Sequence, residues 1–517
     1  ELTFSRNSLG SYTDANGLVQ SMPYNLLTYS EQFDNAAWFK NSSVSLTSGQ
    51  NDPNGGNTAS LVETTVAASA YFYQANAGAK WFSVYAKAGT SSVFSIINGL
   101  YNQGAGFNLS TKVASNAGAG SLAEIQDVGG GWFRCSVYVS SATEMIIMLA
   151  YVSGGGMVIG NNMYFAFAQA NIGSTALPYF ATTTRFNLAR VDYKDNVNGS
   201  LLLEPQRTNL VLYSEEFDNA NWSTSDVTVT ANTTISPDGT QNADTIDAIA
   251  VGQRINQTIS VSASTSYTFS FYAKKGTMIT PRYTVFDLSN GAFILTQVDY
   301  SSLINSSSWS RVTATFTTPA GCTSIGIYPI NGVTTLGTIF LWGAQLESGS
   351  YSTSYIKSEG AATTRLADSC YKTGISDKIG QTEGTLFVDM VPTDVSGAGR
   401  YMNIINGSNT ANGWNGIISD GDGIFRFYGD GFDFSAGTCT QNVRAKVAFA
   451  YKNGVLTSAY VNGVSVGTLT ANTTGKLYNA LQLGEGPFGN EGSCNVNQSI
   501  IFSTALTNTE LATLTTL

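Results

Sequence analysis

Two stretches of the chain gather carboxylates closely enough for chemistry. Asp420-Gly421-Asp422-Gly423 is followed by Asp430-Gly431-Phe432-Asp433, and Pro237-Asp238-Gly239 is followed by Asp244. Oxygen-rich glycine loops can hold Ca²⁺, which takes about six to eight oxygen ligands. Asp238, Asp244, Asp430 and Asp433 are therefore candidates for a structural Ca²⁺ site. No Glu stands at the spacing of an EF-hand, and Asp with Gly serves tight solvated turns equally well. Two carboxylates across a cleft could also hydrolyse a glycoside. Asp420, Asp422, Asp430, Asp433 and Glu485 would supply them, but no motif marks a glycosidase and no enzyme is expected. Trp414 lies in Asn412-Gly413-Trp414-Asn415-Gly416, flanked by glycines in what reads as a polar loop. An exposed indole there could stack on a sugar ring. Trp414, Asp420, Asp422 and Tyr428 form the candidate glycan-contact set.

Composition narrows the chemistry further. The 517 residues include no histidine. That excludes a Ser-His-Asp triad, a Cys-His pair and His-ligated zinc. Charged residues make up 12% of the chain, about half the usual share. The 25 Lys and Arg are scattered and outnumbered by 35 Asp and Glu, so no nucleic-acid partner is expected. The five cysteines, Cys135, Cys322, Cys370, Cys439 and Cys494, lie far apart and read as buried small hydrophobes. Only Cys439 and Cys494 share a region in which they could pair. No apolar run approaches about 18 residues, so no membrane insertion is expected. No leader segment is read at the start, and Glu1 in place of Met suggests a processed or truncated part of something longer.

The elements that must position these residues are strands. Short alternating runs such as Tyr267–Tyr272 and Val312–Phe316 put one face toward a core and one toward solvent. Turn-forming clusters recur every 8–12 residues or so, a spacing that suggests sandwiches or barrels. The expected fold class is all-β, with tandem antiparallel β-sandwiches. Thr507-Asn508-Thr509-Glu510 has capping-box spacing and predicts one short C-terminal helix.

An internal repeat organises the chain. Asn25–Trp38 and Asn209–Trp222 share 10 of 14 residues at an offset of 184. Trp81–Thr90 and Thr268–Thr277 share seven of ten, and further matches follow in the same order. Trp38 and Trp222 hold equivalent places. Each could be a sugar platform, but duplication favours a core role. Trp132 and Trp309, each with Arg two residues on, read as packing with a stacked arginine. Asn16-Gly17, Asn198-Gly199, Asn453-Gly454 and Asn462-Gly463 are hairpin signals, because a type I′ turn needs positive φ at both central residues. The expected divisions are a connector hairpin at 1–23, jelly-roll module 1 at 24–182, a second connector at 183–208, jelly-roll module 2 at 209–362, a linker at 363–383 and a third sandwich at 384–517.

Leu202–Asn209 (LLEPQRTN), running into Leu210–Trp222, resembles a segment of bacteriophage tail-fibre and virion-appendage proteins. Phe4–Val19 resembles the hairpin that often precedes it, and Gly343–Arg365 resembles the end of the same module. Such modules are similar to carbohydrate-binding jelly rolls. The carriers Ala450–Thr468, Leu481–Gly484 and Ile501–Leu511 resemble a concanavalin/laminin-G-like sandwich. The first copy departs from the pattern, with Gln20-Ser21-Met22-Pro23-Tyr24 where the second has Glu204-Pro205-Gln206-Arg207-Thr208.

The resemblance implies a non-enzymatic protein on the virion surface: a fibre, spike or head appendage. Its implied partners are a host-surface glycan or receptor, other virion proteins and copies of itself in a homotrimer. A purely structural decoration or adaptor is the alternative, and a depolymerase using a carboxylate pair is the second. Low charge leaves hydroxyl, amide and aromatic groups to recognise a ligand, which suits neutral sugars.

Overall fold

Strands of alternating burial build almost everything in the computed structural model. It describes residues 2–6, 8–22, 24–67, 70–149, 158–171, 176–183, 189–332, 336–395, 399–406, 414–419, 421–429, 432–452, 455–470, 477–484 and 492–517. Strands are antiparallel throughout the described pairings, and the described residues contain one α-helix, Asn508–Thr515. Its capping box forms as the sequence predicts: Thr507 Oγ1 accepts from the Glu510 N–H, and the Glu510 carboxylate accepts from the Thr507 N–H at 2.8 Å.

The chain divides into two units, and the division is not sequential. Pro23–Leu188 is one unit; Glu1–Met22 and Ala189–Leu517 together make the other.

The Pro23–Leu188 unit is the first jelly roll. Its frame is two long antiparallel strands, Tyr71–Ala88 and Trp132–Met148. Each serves two sets of neighbours. Met145–Met148 pairs with the strand Val93–Asn98, whereas Trp132–Tyr138 pairs with Leu122–Gly129. Between these parts the register shifts near Ala142, a bulge that lets the sheet bend. Phe72, Phe82, Phe94, Val137, Ile147 and Phe165 meet in the enclosed core.

The second jelly roll, in the larger unit, has the same plan in shorter pieces. Arg254–Ser260 and Ser266–Lys275 replace the first long strand, and Ser310–Thr317 and Ser324–Asn331 replace the second. The breaks have local causes. Ser264 sits at φ +49° in one turn, and Pro319 with Gly321 (φ +78°) makes the other. Proline cannot donate to a ladder, so the strand ends there. Two five-stranded sheets result, around a core that includes Ile255, Phe269, Phe271, Ile327 and Leu346.

The third sandwich stacks two seven-stranded sheets. It draws on more of the chain than 384–517. Strand Thr3–Ser5 pairs with Ser369–Thr373, which pairs with Ala480–Leu483. Strands Arg190–Asp192 and Ser200–Leu203 join the opposite sheet beside Cys494–Phe502. Phe4, Leu203 and Cys370 enter its core. Residues 363–383, expected as a linker, thus contain the strands Thr363–Arg365 and Ser369–Thr373, because Cys370 alternates inward like a core residue.

A buried ion cluster ties these segments together. Arg190 pairs with Glu204 at 2.7 Å and with Asp368; Arg6 reaches Asp368 at 2.8 Å; Arg365 reaches Glu204 at 2.9 Å. All five side chains are at most 5% exposed. Glu204 also accepts from Ser354 N and Oγ, both at 2.6 Å. Burial alone would raise the Glu204 carboxyl, but Arg365, Arg190 and Ser354 overcome it and hold the group well below the usual carboxylate range. The Glu of the Leu202–Asn209 motif is therefore a tie between segments.

Turn chemistry follows the sequence in one hairpin and departs from it in two. Asn462 (φ +50°) and Gly463 (φ +80°) both take positive φ, as a type I′ turn requires. At Asn16-Gly17 and Asn198-Gly199 only the glycine does. There the hairpins form, but Asp14 and Asn196 side chains cap longer turns by accepting backbone N–H bonds from Asn16 and Asn198. Asn453-Gly454 lies outside the described residues. All five cysteines are buried and none is in a disulfide, so Cys439 and Cys494 do not pair.

Candidate functional site

The repeated motif builds a scaffold, and it does so identically twice. Tyr29 (φ +48°) and Tyr213 (φ +55°) take the left-handed conformation, unusual for an aromatic residue. In each copy the following tryptophan holds that bend: Trp38 Nε1 donates to Tyr29 O and Trp222 Nε1 to Tyr213 O, both at 3.0 Å. Both indoles are buried, so the core role is the correct one. The next residues form a second tie. Ser30 Oγ meets Tyr179 Oη at 2.9 Å, and Tyr179 donates to Glu31 at 3.0 Å. Ser214, Tyr355 and Glu215 repeat this at 2.7 and 3.0 Å.

The second tryptophan pair corrects a sequence expectation. Trp132 is buried, and Trp309 donates its Nε1 to Ile235 O at 2.9 Å. The arginine two residues on from Trp309 does not stack on it. Arg311 instead lies 5.5 Å from the Tyr272 ring centroid and donates to Ser270 Oγ and Thr353 O.

The candidate glycan-contact residues of the third sandwich are only partly brought together. Trp414 opens the strand Trp414–Ser419, with its Cα opposite Ile405. It is therefore in a paired strand, where ladder bonds to Arg400–Ile405 overrode the loop-like glycines. Asp422 is exposed in the turn before Ile424–Gly429. Tyr428 is half-buried, with the Arg426 guanidinium 5.1 Å from its ring centroid. Asp433 lies opposite Tyr428 and is gripped by the same Arg426 through two hydrogen bonds, one at 2.6 Å. Those bonds hold the Asp433 carboxyl below its ordinary value. Asp420, Asp430 and Glu485 lie outside the described residues.

Of the candidate Ca²⁺ ligands, Asp430 lies outside the described residues, and Asp238 and Asp244 are each engaged by hydrogen-bond donors. Asp238 accepts from Ser236 Oγ at 2.6 Å, Thr240 N and Oγ1 at 2.7 Å, and Asn242 Nδ2 at 3.2 Å. Asp244 accepts from the N–H groups of Phe217 at 2.8 Å and Asn232 at 2.9 Å. At Asp238 and Asp244 donors thus point at the lone pairs a cation would need. Among the described residues no group of three or more Asp, Glu or Cys is arranged to hold a metal ion.

A different surface collects groups suited to a sugar. In module 2, the sheet made by Ser223–Ser225, Arg254–Ser260, Ser324–Asn331, Arg282–Asp287 and Ala292–Asp299 buries one face. Ile255, Ile259, Ile325, Ile327 and Val285 point inward. Alternation turns Arg254, Asn256, Tyr328, Arg282, Thr284 and Phe286 to the other face. Thr284 stands opposite Tyr328, and Phe286 stands opposite both Gly326 and Phe293. Tyr328 lies across Gly326: a Cβ there would come within 2.7 Å of its ring. Phe286 and Phe293 rings sit edge to face at 5.0 Å, with Phe293 53% exposed. Tyr328, Phe286 and Phe293 therefore form an aromatic shelf, rimmed by Arg254, Asn256 and Arg282. Sequence reasoning missed it. The signal was present as the outward half of Arg282–Asp287, but period-2 alternation marks only the buried half as special.

Comparison with known proteins bears on this module. Residues 209–328 match a family model described as a carbohydrate binding domain. The match supports carbohydrate-binding jelly-roll domains in this chain. Among solved structures, the tandem CBM22-1–CBM22-2 domain of Paenibacillus barcinonensis Xyn10C is similar over 63% of this chain and 99% of its own, at 10% identity and a TM-score of 0.27. The CBM40 of a Ruminococcus gnavus IT-sialidase, bound to α2,3-sialyllactose, is similar over 28% of this chain and 86% of its own, at 13% identity and TM-score 0.24. The enzymatically active domain of tailspike protein 4 of bacteriophage CBA120 covers 27% of this chain and 21% of its own, at 19% identity and TM-score 0.24. No curated protein matches the chain.

Proposed function

We propose that this chain is a non-enzymatic attachment protein of a bacteriophage virion, displayed on the particle surface, which binds host-surface or environmental glycans. The observation that carries the glycan-binding part is the aromatic shelf Tyr328–Phe286–Phe293 on the open sheet face of the module matched as a carbohydrate binding domain. Aromatic faces cover the apolar faces of sugar rings, and the polar rim supplies donors to hydroxyls. The virion assignment draws on the resemblance of Leu202–Asn209 and Gly343–Arg365 to phage appendage proteins. A trimer would suit it, since linked copies raise the effective concentration of weak sites. The non-enzymatic reading draws support from Asp433, whose carboxylate is engaged by Arg426.

A glycan array probed with the full chain tests the proposal. Binding should weaken by about tenfold in Phe293→Ala and Tyr328→Ala, an effect of one shelf ring each. An array with no bound glycan would overturn the binding role and favour a structural decoration. Absence of the chain from purified particles would overturn the virion assignment, and release of reducing ends from host polysaccharide would overturn the non-enzymatic one.

A further inference from the structure

The first jelly roll lies outside the residues matched by the family model, yet its equivalent sheet face also carries rings. They arise from different positions. Alternation along Tyr71–Ala88 buries Phe72 and Gln74 and turns Tyr71 and Tyr73 outward. The short strand Phe39–Lys40 sets Phe39 opposite Tyr73. Phe39 lies 4.9 Å from Tyr73 and 6.2 Å from Tyr71, and the two tyrosines lie 6.3 Å apart with planes 22° from parallel. Phe39 is 48% exposed. Tyr101, in the turn after Val93–Asn98, is 59% exposed. Gly99 N donates to Glu144 O at 3.2 Å and Tyr101 N to Asn98 O at 2.9 Å, which brings this turn beside Glu144; burial, then Tyr71, Glu144 and Tyr73, raise the Tyr101 phenol.

The two copies can be superposed residue by residue here. Gln74 exchanges hydrogen bonds with the backbone of Thr28, as Gln257 does with Leu212. Trp38 and Trp222 fix the other end. Phe39, Tyr71 and Tyr73 therefore stand where module 2 has Ser223, Arg254 and Asn256. The row in module 1 is its own feature and not a relic of the shelf in module 2.

Charge limits what can lie on it. Glu144 sits at the end of the row, folded over Gly99, where a Cβ would come within 2.5 Å of Oε1. Lys40 is turned away and donates its ammonium to the carbonyls of Phe33, Asp34 and Asn35. Among the described residues no cation pairs with Glu144, and such a carboxylate repels anionic sugars and accepts from hydroxyls. We propose that Phe39, Tyr71, Tyr73, Tyr101 and Glu144 form a second binding site, for a chain of neutral pyranose units stacked on the rings with hydroxyls donating to Glu144. The proposal takes its ligand class from the glycan-binding reading above but uses none of the same residues.

Titration calorimetry of the full chain against cellohexaose, laminarihexaose, xylohexaose, mannohexaose and maltohexaose tests it. At least one should bind. The triple change Phe39→Ser, Tyr71→Arg, Tyr73→Asn installs the residues of module 2, and Tyr101→Ala removes an exposed ring. Each should weaken binding by about tenfold or more with the melting temperature unchanged, while Phe293→Ala should leave it intact. Should the triple variant misfold, Tyr101→Ala and Glu144→Gln carry the test. The site is overturned if none of the five hexasaccharides binds, if binding survives Tyr101→Ala, or if the triple change instead abolishes self-association in sedimentation. Array binding that persists through Phe293 and Tyr328 while hexasaccharides ignore these changes overturns this site alone; an array with no bound glycan overturns the function proposed above.

Discussion

The two jelly rolls share their inward residues and differ in their outward ones. Phe72 and Ile255 are both buried, and Gln74 and Gln257 make the same tether. One position either side, Tyr71 and Tyr73 face Arg254 and Asn256 across the comparison. The sheet face thus changes from a ring row with one carboxylate to a shelf rimmed by arginines. Core packing constrains every second residue and leaves its neighbours free. A duplicated module can therefore keep its fold while its surface moves to another ligand.

The largest test of the comparison lies where the copies have no common chemistry. The connector before module 1 has Gln20-Ser21-Met22 where the connector before module 2 brings Glu204 into its ion cluster. Glu204→Ala removes the buried carboxylate that Arg190 and Arg365 share, leaving Arg190 only Asp368, and should cost about 3–5 kcal/mol. Thermal unfolding should show this loss in the Glu1–Met22/Ala189–Leu517 unit and none in the Pro23–Leu188 unit. Equal loss in both would break the contrast.

The shared tie should respond alike in both copies. Ser30→Ala and Ser214→Ala each strip a hydroxyl from a tyrosine, half-buried Tyr179 and buried Tyr355, and from a backbone N–H, Thr182 and Ser358 respectively. Each should cost about 1–3 kcal/mol in denaturant unfolding. A difference between them larger than the measurement error would show that the copies do not share one frame.

Acid should separate the modules again. Asp244 of module 2 aligns with Ser60 of module 1. Burial raises the Asp244 carboxyl to about 6, against hydrogen bonds from Asn232 and Phe217. A folded value above the unfolded one, near about 3.9, means that stability is fullest below that pH and is lost as pH rises through about 6. Module 2 should therefore lose stability between about pH 4 and 6 through this residue, and carboxyl NMR should show it titrating near 6. Glu204 works in the opposite sense: its depressed value stabilises above about pH 4.3, and that contribution falls away as pH drops. Asp244→Asn should flatten the first trend and leave the second. The smallest stability effect belongs to Phe293→Ala, about 0.5 kcal/mol or less for an exposed ring.

What the sequence made legible was local or repeated. The alternation of Tyr267–Tyr272 became the strand Ser266–Lys275, and Asn462-Gly463 became the turn it predicts. The Trp38 and Trp222 pair revealed itself through duplication. Long-range partners stayed hidden, because nothing in Thr3–Ser5 names Ser369–Thr373 as its neighbour. The same holds for Glu204, whose charge reads as surface until Arg190 and Arg365 close over it. The outward rings were hidden for a subtler reason. Tyr71, Tyr73, Phe286 and Phe293 look like ordinary strand formers, and only the register decides which side of the sheet they serve. The strand opened by Trp414 was hidden the other way, since nearby glycines read as a loop whether or not a neighbouring strand pairs with the segment.

The split unit also dictates an order of assembly. Arg6 and Asp368 are 362 residues apart in the chain. At about 5–20 residues per second, a ribosome needs about 20–70 s to deliver the second after the first. All of Pro23–Leu188 emerges in that interval and is free to fold by itself, whereas Thr3–Ser5 has no partner yet. Thr3–Ser5 is thus made before its partner and finished late. During translation it is an unpaired strand edge that a chaperone would protect, and its capture by Ser369–Thr373 reports that the larger unit has closed.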